Sequence, residues 1–160
     1  MTGALARRIA AMVLAVVLAF TSGALLWTHR QASAREAARA EAVAAAPGRV
    51  EALLSYNAPT VDADLARAAG GATGEFGDGF RDFASKTVAP QSKDRQISTR
   101  ARVAEVGFLS GTANHAQLLM FVDQITTSTA QPAPATASSR VRVGLDLVDG
   151  QWLVSEMTPI

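Results

Sequence analysis

Two closely spaced aspartates, Asp62 and Asp64, are the carboxylates of this sequence that most invite an acid–base role. A pair of carboxylates acts as general acid and base only when both groups face one substrate. Thr60 is placed to cap a helix that contains them, and positions i and i+2 of a helix point about 200° apart. We therefore interpret Asp62 and Asp64 as charges in a first helical turn, where they face the positive end of the helix dipole, and not as a catalytic dyad.

The histidines give no better candidate for catalysis. His115 follows Asn114 in a predicted turn, whereas general-base work needs a histidine inside a pocket, so we interpret it as a surface residue. His29 lies beside a long apolar stretch, where we expect no catalysis. The chain has no cysteine, which excludes disulfides, thiolate nucleophiles and cysteine-bound metals, and it has no phosphate loop, nucleophile elbow or metal-ligand spacing. We expect no catalytic, cofactor-binding or metal-binding residue, no cofactor, and no enzymatic activity.

Two other groups of side chains favour packing or binding. Phe76, Phe80 and Phe83 recur at i, i+4 and i+7 and predict an aromatic helix face, which we interpret as core in preference to a lipid cradle. Four arginines lie on the outward faces of predicted strands, where they form a basic stripe if those strands are neighbours; a solvated face is the alternative: Arg100, Arg102, Arg140 and Arg142. The net charge of +1 gives no general attraction to nucleic acid, which we do not expect as a partner.

The 19 residues of Ile9–Trp27 carry no charge and are long enough to cross a bilayer as one helix. Arg7 and Arg8 precede this stretch, and Trp27 suits the membrane interface. A cleaved signal peptide is the alternative, but the apolar run is longer than a signal core. We expect a single-pass anchor in the cell membrane with a cytoplasmic N-terminus, although further arginines beyond the span make the local charge rule ambiguous.

The segment after the span is rich in Ala, Arg and Glu and lacks large apolar side chains, so it predicts a solvated helical stalk that ends at Pro47-Gly48. A new helix is expected from there to Tyr56. The next helix starts at Thr60, buries Val61 and Leu65, and stops at Gly70-Gly71. Another starts at Thr73 and ends before Pro90.

After Pro90, apolar and polar residues alternate along the chain, a pattern that is typical of strands. Four strands are expected: Gln96–Val103, Gln117–Thr127, Arg140–Val148 and Gln151–Met157. The second is apolar on both sides at its centre, which predicts a central place in the sheet. Gly107 predicts a bulge or strand end, Gly111–His115 a turn, and Ser128–Ser139 a flexible loop. Asp149-Gly150 predicts a type I′ hairpin.

These elements predict the following organisation: 1–8 a cytoplasmic tail, 9–27 a transmembrane helix, 28–46 a helical stalk and 47–160 an extracytoplasmic domain. Helices followed by antiparallel strands predict an α+β domain in which the helices cover one face of a curved sheet.

Several segments, taken in order, resemble the Mce-associated membrane proteins of actinobacteria. They are Leu53-Leu54-Ser55-Tyr56, Thr60-Val61-Asp62-Ala63-Asp64-Leu65, Thr73-Gly74-Glu75-Phe76, Phe121-Val122-Asp123-Gln124-Ile125-Thr126-Thr127, Ser139-Arg140-Val141-Arg142-Val143 and Asp149-Gly150-Gln151-Trp152-Leu153-Val154-Ser155. The resemblance spans the chain, including the anchor. One departure is Asn57-Ala58-Pro59, where the family usually has an acidic residue and a second aromatic, so the local surface differs there.

This resemblance implies a cone-shaped domain like that of nuclear transport factor and the SnoaL-type cyclases. It also implies an accessory role that stabilises or assembles an Mce (mammalian cell entry) complex, a system that moves lipids or sterols across the cell envelope. The expected partners are the membrane, Mce complex proteins, and a lipid or sterol. Two alternatives stay open, a pocket-bearing module that binds the lipid and a small cyclase- or isomerase-like enzyme.

Overall fold

The computed structural model describes residues 33–160. The predicted membrane span at 9–27 and the predicted tail at 1–8 lie outside these residues, and within 33–160 no helix is long and apolar enough to cross a membrane. The chain divides into two compact units, Met1–Ala37 and Ala38–Ile160. Residues 33–37 of the first unit are helical and exposed. The second unit contains the sheet, the remaining helices and the core.

The first described helix, α1, covers residues 33–54 and continues through Pro47-Gly48 without a break. Its core-facing residues recur every three or four positions: Ala38, Ala42, Ala46, Val50 and Leu53. The prediction of a solvated stalk is therefore wrong for residues 38–46, and the predicted interruption at Pro47 is wrong as well. Alanines pack a helix backbone closely against its neighbours, so the lack of large apolar side chains did not mean a lack of packing. That packing offsets the backbone hydrogen bond that a proline removes.

A 3₁₀ turn at Ala58–Thr60 leads into α2, Val61–Ala69. Helix α3 covers Gly74–Phe83, a π-helical segment follows at Ala84–Val88, and α4 covers Ala89–Arg95. Thr60 and Thr73 occupy the N-cap positions as predicted, although neither side chain caps a backbone N–H. The predicted helix end before Pro90 is wrong. Pro90 lies in the first turn of α4, where the backbone N–H groups have no partner within the helix, so a proline costs α4 no hydrogen bond. The π segment therefore connects α3 with α4, and the helix does not end before Pro90.

Four antiparallel strands form one sheet in the order β1-β2-β3-β4: Ser98–Gly111, His115–Ser128, Gln131–Val148 and Gln151–Pro159. The central place of β2 is confirmed. Asp149 and Gly150 have φ of 49° and 76°, the positive values that a type I′ turn requires, so the predicted hairpin is confirmed. Gly107 is neither a bulge nor an end; the irregularities of β1 lie between Val103 and Glu105 and between Phe108 and Ser110.

The predicted loop at Ser128–Ser139 is wrong, because β3 already begins at Gln131. Ile125 pairs with Thr136 and Gln124 with Ala137, so this polar stretch is hydrogen-bonded to β2. Pairing of β3 with β4 starts only at Val141. The early part of β3 is thus a free edge, and an edge tolerates prolines such as Pro134, which cannot donate to a second neighbour.

The inner face of the sheet and α1 share one core cluster. Its fully buried side chains include Leu118, Met120, Val143, Leu145 and Val154. Burial of a side chain of this size stabilises a fold by about 1.5–3 kcal/mol, so this layer contributes most to holding the sheet against the helix. The predicted α+β fold class, with helices packed on one face of an antiparallel sheet, is confirmed.

Candidate functional site

A cleft of about 650 Å³ opens between the helices α2 to α4 and the inner face of the sheet. Phe76 and Phe80 of α3 form part of its wall, with ring centroids 6.5 Å apart, and Leu65 of α2 contributes beside them. Val141 and Met157 line it from β3 and β4. A volume of this size and an apolar lining are typical of sites for small molecules.

The polar groups of the cleft divide into paired and unpaired ones. The Ser92 hydroxyl donates to the Ile97 carbonyl oxygen at 2.7 Å, and the hydroxyls of Thr99 and Thr126 lie 3.2 Å apart. Five further groups are the hydroxyls of Tyr56, Thr87 and Ser139 and the side-chain amides of Gln91 and Gln124, none of which has a hydrogen-bond partner within residues 33–160. A ligand in the cleft can therefore use a phenol, two aliphatic hydroxyls and two amides to orient itself.

Among the described residues that line this cleft, none is Asp, Glu, Lys, Arg or His. Tyr56 is the one ionisable side chain among these described lining residues. The described lining therefore contains no pair of carboxylate, amine or imidazole groups. Its chemistry suits binding of a neutral, mostly apolar molecule that carries one or two hydroxyl or carbonyl groups.

The structure places the predicted aspartates outside this cleft and apart from each other. Asp62 lines a separate groove beside α2, and its Oδ2 lies 2.5 Å from the Nζ of Lys93. Asp64 accepts hydrogen bonds from the Thr60 hydroxyl at 2.7 Å and from the Asn57 N–H at 3.1 Å, and its Oδ1 lies 3.3 Å from Arg67. The Thr60 hydroxyl above all, then the Asn57 N–H and Arg67, lower the pKa of Asp64 although partial burial opposes them. These contacts tie the 3₁₀ turn to α2.

His115 makes a contact that the sequence did not indicate. Its Nδ1 lies 2.6 Å from Oδ1 of Asp146, the residue directly opposite on β3, and both side chains are 42% exposed. The pair lies on the outward face of the sheet, whereas the cleft belongs to the inner face. Both residues lie at a similar distance along the chain from the turn at 129–130, a relation that the predicted loop at Ser128–Ser139 conceals.

The structure also shows where the predicted aromatic helix face and the four strand arginines lie. Phe76 and Phe80 pack against the core and also line the cleft, while Phe83 is 58% exposed at its edge. The arginines do not form one stripe, because their strands flank β2 on opposite sides. Arg100 and Arg102 are on β1, and Arg140 and Arg142 are on β3.

Solved structures share this fold at low sequence identity. An IcmL-like type IV secretion system protein from Legionella pneumophila matches with a TM-score of 0.63 at 14% identity, over 76% of this chain and 93% of that one. CagV, a VirB8 homologue from Helicobacter pylori, matches with 0.60 at 12%, over 75% and 96%. A hexachlorocyclohexane dehydrochlorinase, LinA type 2, matches with 0.53 at 14%, over 78% and 93%. At such identities the likeness concerns the fold alone.

Two proteins of Mycobacterium tuberculosis are similar in sequence. "Outer membrane protein Rv1973" of strain ATCC 25618 / H37Rv is 42% identical over 147 residues, which are 91% of each chain. "Uncharacterized protein Rv1362c" of the same strain is 36% identical over 155 residues, 93% of this chain and 70% of the relative. A family model described as "Uncharacterized protein Rv1363c/MT1408-like" matches residues 3–159. The chain therefore belongs to the Rv1363c/MT1408-like family.

Proposed function

We propose that this protein is a non-enzymatic accessory protein of the cell envelope that stabilises or assembles an Mce-type lipid or sterol transport complex. The observation that carries the proposal is the 42% identity, over 91% of both chains, to a protein named as an outer membrane protein. The ordered segments that resemble Mce-associated proteins support the choice of complex. Two fold relatives are named as proteins of type IV secretion systems, so the same fold occurs in a multi-protein system of other bacteria.

In this proposal, Ile9–Trp27 anchors the chain in the cell membrane as a single span, with residues 1–8 in the cytoplasm and the α+β domain outside it. The length and hydrophobicity of the stretch support this topology. Reporter fusions at the C-terminus test it. We expect activity from a reporter that works only outside the cytoplasm. Activity from a reporter that works only in the cytoplasm would show that the orientation is the opposite one.

Co-purification tests the accessory role. The tagged full chain, extracted from membranes, is expected to recover Mce components, and deletion of its gene is expected to lower their abundance. Recovery of no Mce component, together with unchanged abundance after deletion, would exclude the role. The lack of an acid–base pair among the described residues that line the cleft supports the non-enzymatic part of the proposal.

A second candidate function is favoured by the cleft itself. We infer that it binds a lipid or sterol-like molecule, because its lining is mostly apolar and its unpaired polar groups are neutral. Ala137 lines the cleft from β3, whereas its neighbour Thr136 pairs with Ile125 on the outward face. Ala137→Trp is expected to fill the cleft, and Thr136→Trp is the matched control.

Native mass spectrometry of the purified full chain in detergent measures this binding. The wild type and Thr136→Trp are expected to carry bound lipid after purification, and Ala137→Trp is expected to lose it. Chains that are empty in all three forms, or an Ala137→Trp variant that retains its ligand, would exclude the cleft as the binding site.

A further inference from the structure

The outward face of the sheet carries a row of apolar side chains along β2, one of its two interior strands. Leu119, Phe121 and Ile125 all point away from the helices, and Phe121 and Ile125 are 45% and 48% exposed. The inner face of the same strand supplies the core, so β2 is apolar on both faces. No described residue covers the outward row, and exposed apolar rows of this kind mark interaction surfaces.

Charged residues lie beside this row and, at Asp123 between Phe121 and Ile125, within it, in equal numbers of each sign. Within the four strands there are four arginines and four carboxylates, all on the outward face: Arg100, Arg102, Arg140, Arg142, Glu105, Asp123, Asp146 and Glu156. A surface that binds anionic lipid carries an excess of positive charge, and this face has none. Its balanced charges instead fit a protein surface with the same mixture of signs.

The pairing register places two residues of opposite charge at the same level on either side of β2. Phe121 of β2 lies between Glu105 on β1 and Arg140 on β3. Glu105 and Arg140 are exposed, they are about 10 Å apart across β2, and neither forms an ion pair with a residue that the structure describes. A rotation of 180° about an axis along β2 exchanges the β1 side with the β3 side. It therefore brings Arg140 opposite Glu105 of a second copy.

We propose that the outward sheet face is a homodimer interface in which two copies pack face to face about an axis along β2. The axis places Leu119, Phe121 and Ile125 of one copy against the same residues of the other, and Asp123, which accepts a hydrogen bond from Ser138 of its own chain, lies between them. It also forms two equivalent Arg140–Glu105 contacts at the margins of that apolar row. Two-fold symmetry of this self-complementary kind is the most frequent one among homo-oligomers, and aligned packing of two sheets buries such a row. The dimer is independent of the function proposed for the cleft, which opens on the other side of the sheet.

Cysteine cross-linking tests the geometry in the full chain, because the wild type has no cysteine and gives no background. Leu119→Cys lies next to the proposed axis, whereas Lys86→Cys lies exposed on the helical side. In membranes treated with a short bifunctional maleimide, Leu119→Cys is expected to yield a covalent dimer and Lys86→Cys to remain monomeric. Equal yields from the two variants, or no dimer from Leu119→Cys, would overturn the proposal.

Charge reversal tests the contact between copies. In the Leu119→Cys background, Glu105→Arg and Arg140→Glu each place like charges opposite each other, so both are expected to reduce cross-linking to the level of the Lys86→Cys control. The double variant restores opposite charges and is expected to restore the dimer, which also shows that each single variant failed through charge and not through misfolding. Dimers that survive both single reversals, or a double variant that stays monomeric, would contradict the interface. Protection of position 119 by anionic vesicles, without any dependence on Glu105, would identify a lipid surface instead.

Discussion

At the scale of single residues, Asp64 shows how a carboxylate that resembles a catalytic candidate serves the structure instead. The hydrogen bonds from Thr60 and Asn57 favour its charged form and lower its pKa below the ordinary value of 3.8. A lowered pKa means that the unfolded chain binds the proton more tightly, so this stabilisation is complete above pH 4 or so and is lost as the pH falls through the pKa of the folded state. The carboxylate thus contributes to stability at neutral pH.

Asp64→Asn removes this dependence. We expect the variant to be less stable at pH 7 by about 1 kcal/mol, because a charge-assisted hydrogen bond is replaced by a neutral one, and to differ less from the wild type at pH 3. Urea unfolding at the two pH values measures both differences. An equal difference at pH 7 and pH 3 would show that the charge of Asp64 is not involved.

The contact between His115 and Asp146 is expected to contribute little to stability, although its distance is short. Both side chains are 42% exposed, and water screens such pairs, so we expect a coupling free energy below about 1 kcal/mol. A double-mutant cycle with His115→Ala and Asp146→Ala, measured by urea unfolding, gives this value. A coupling of several kcal/mol would indicate that the pair is held by more than this exposed contact.

At the scale of elements, α1 shows how small residues form a packed surface. Ala42 is fully buried in the core, and Ala44, two residues further along the same helix, is exposed. We expect Ala42→Glu to lower the free energy of unfolding by about 3 kcal/mol or more, since it forces a large charged group into a filled space. Ala44→Glu is the control and is expected to change it by less than about 0.5 kcal/mol. Equal effects in thermal unfolding would mean that α1 is solvated on both sides.

The long strand β3 makes a related point about polar segments. Its first half contains small and polar residues together with Pro134, a composition that is typical of loops. Its hydrogen bonds go to β2 on one side, and β4 does not reach it on the other. Pairing with β2 thus holds this segment of weak strand propensity in an extended conformation. Strand β2 also provides Gln124, which lies opposite Ala137 at the floor of the cleft.

At the scale of the whole molecule, the cleft and the outward sheet face lie on opposite sides of one sheet. We therefore expect that the binding of a ligand in the cleft can be separated by mutation from contacts with proteins. Ala137→Trp is expected to abolish lipid binding without reducing the recovery of Mce components, because position 137 faces the cleft and its substitution leaves the surfaces outside the cleft unchanged. Co-purification and native mass spectrometry of the same variant measure both effects. Loss of partners together with loss of ligand would show that the cleft, and not an outer surface, holds the complex together.

The sequence by itself determined the parts of this protein that depend on local order. The strand period around Ala101 and Val143, the helix starts at Thr60 and Thr73, and the Asp149-Gly150 turn follow from nearest neighbours along the chain, and the structure confirms each of them.

Only the tertiary structure decided which weakly marked segments pack and which distant residues meet. The burial of Ala42, the pairing of residues 131–139 with β2, and the contact between His115 and Asp146 all depend on partners far away in the chain. Alanine helices and polar strands have no hydrophobic period of their own, so their environment comes from the elements beside them. The cleft has the same origin, since its walls are drawn from every helix and strand of the domain and no local pattern encodes the space between them.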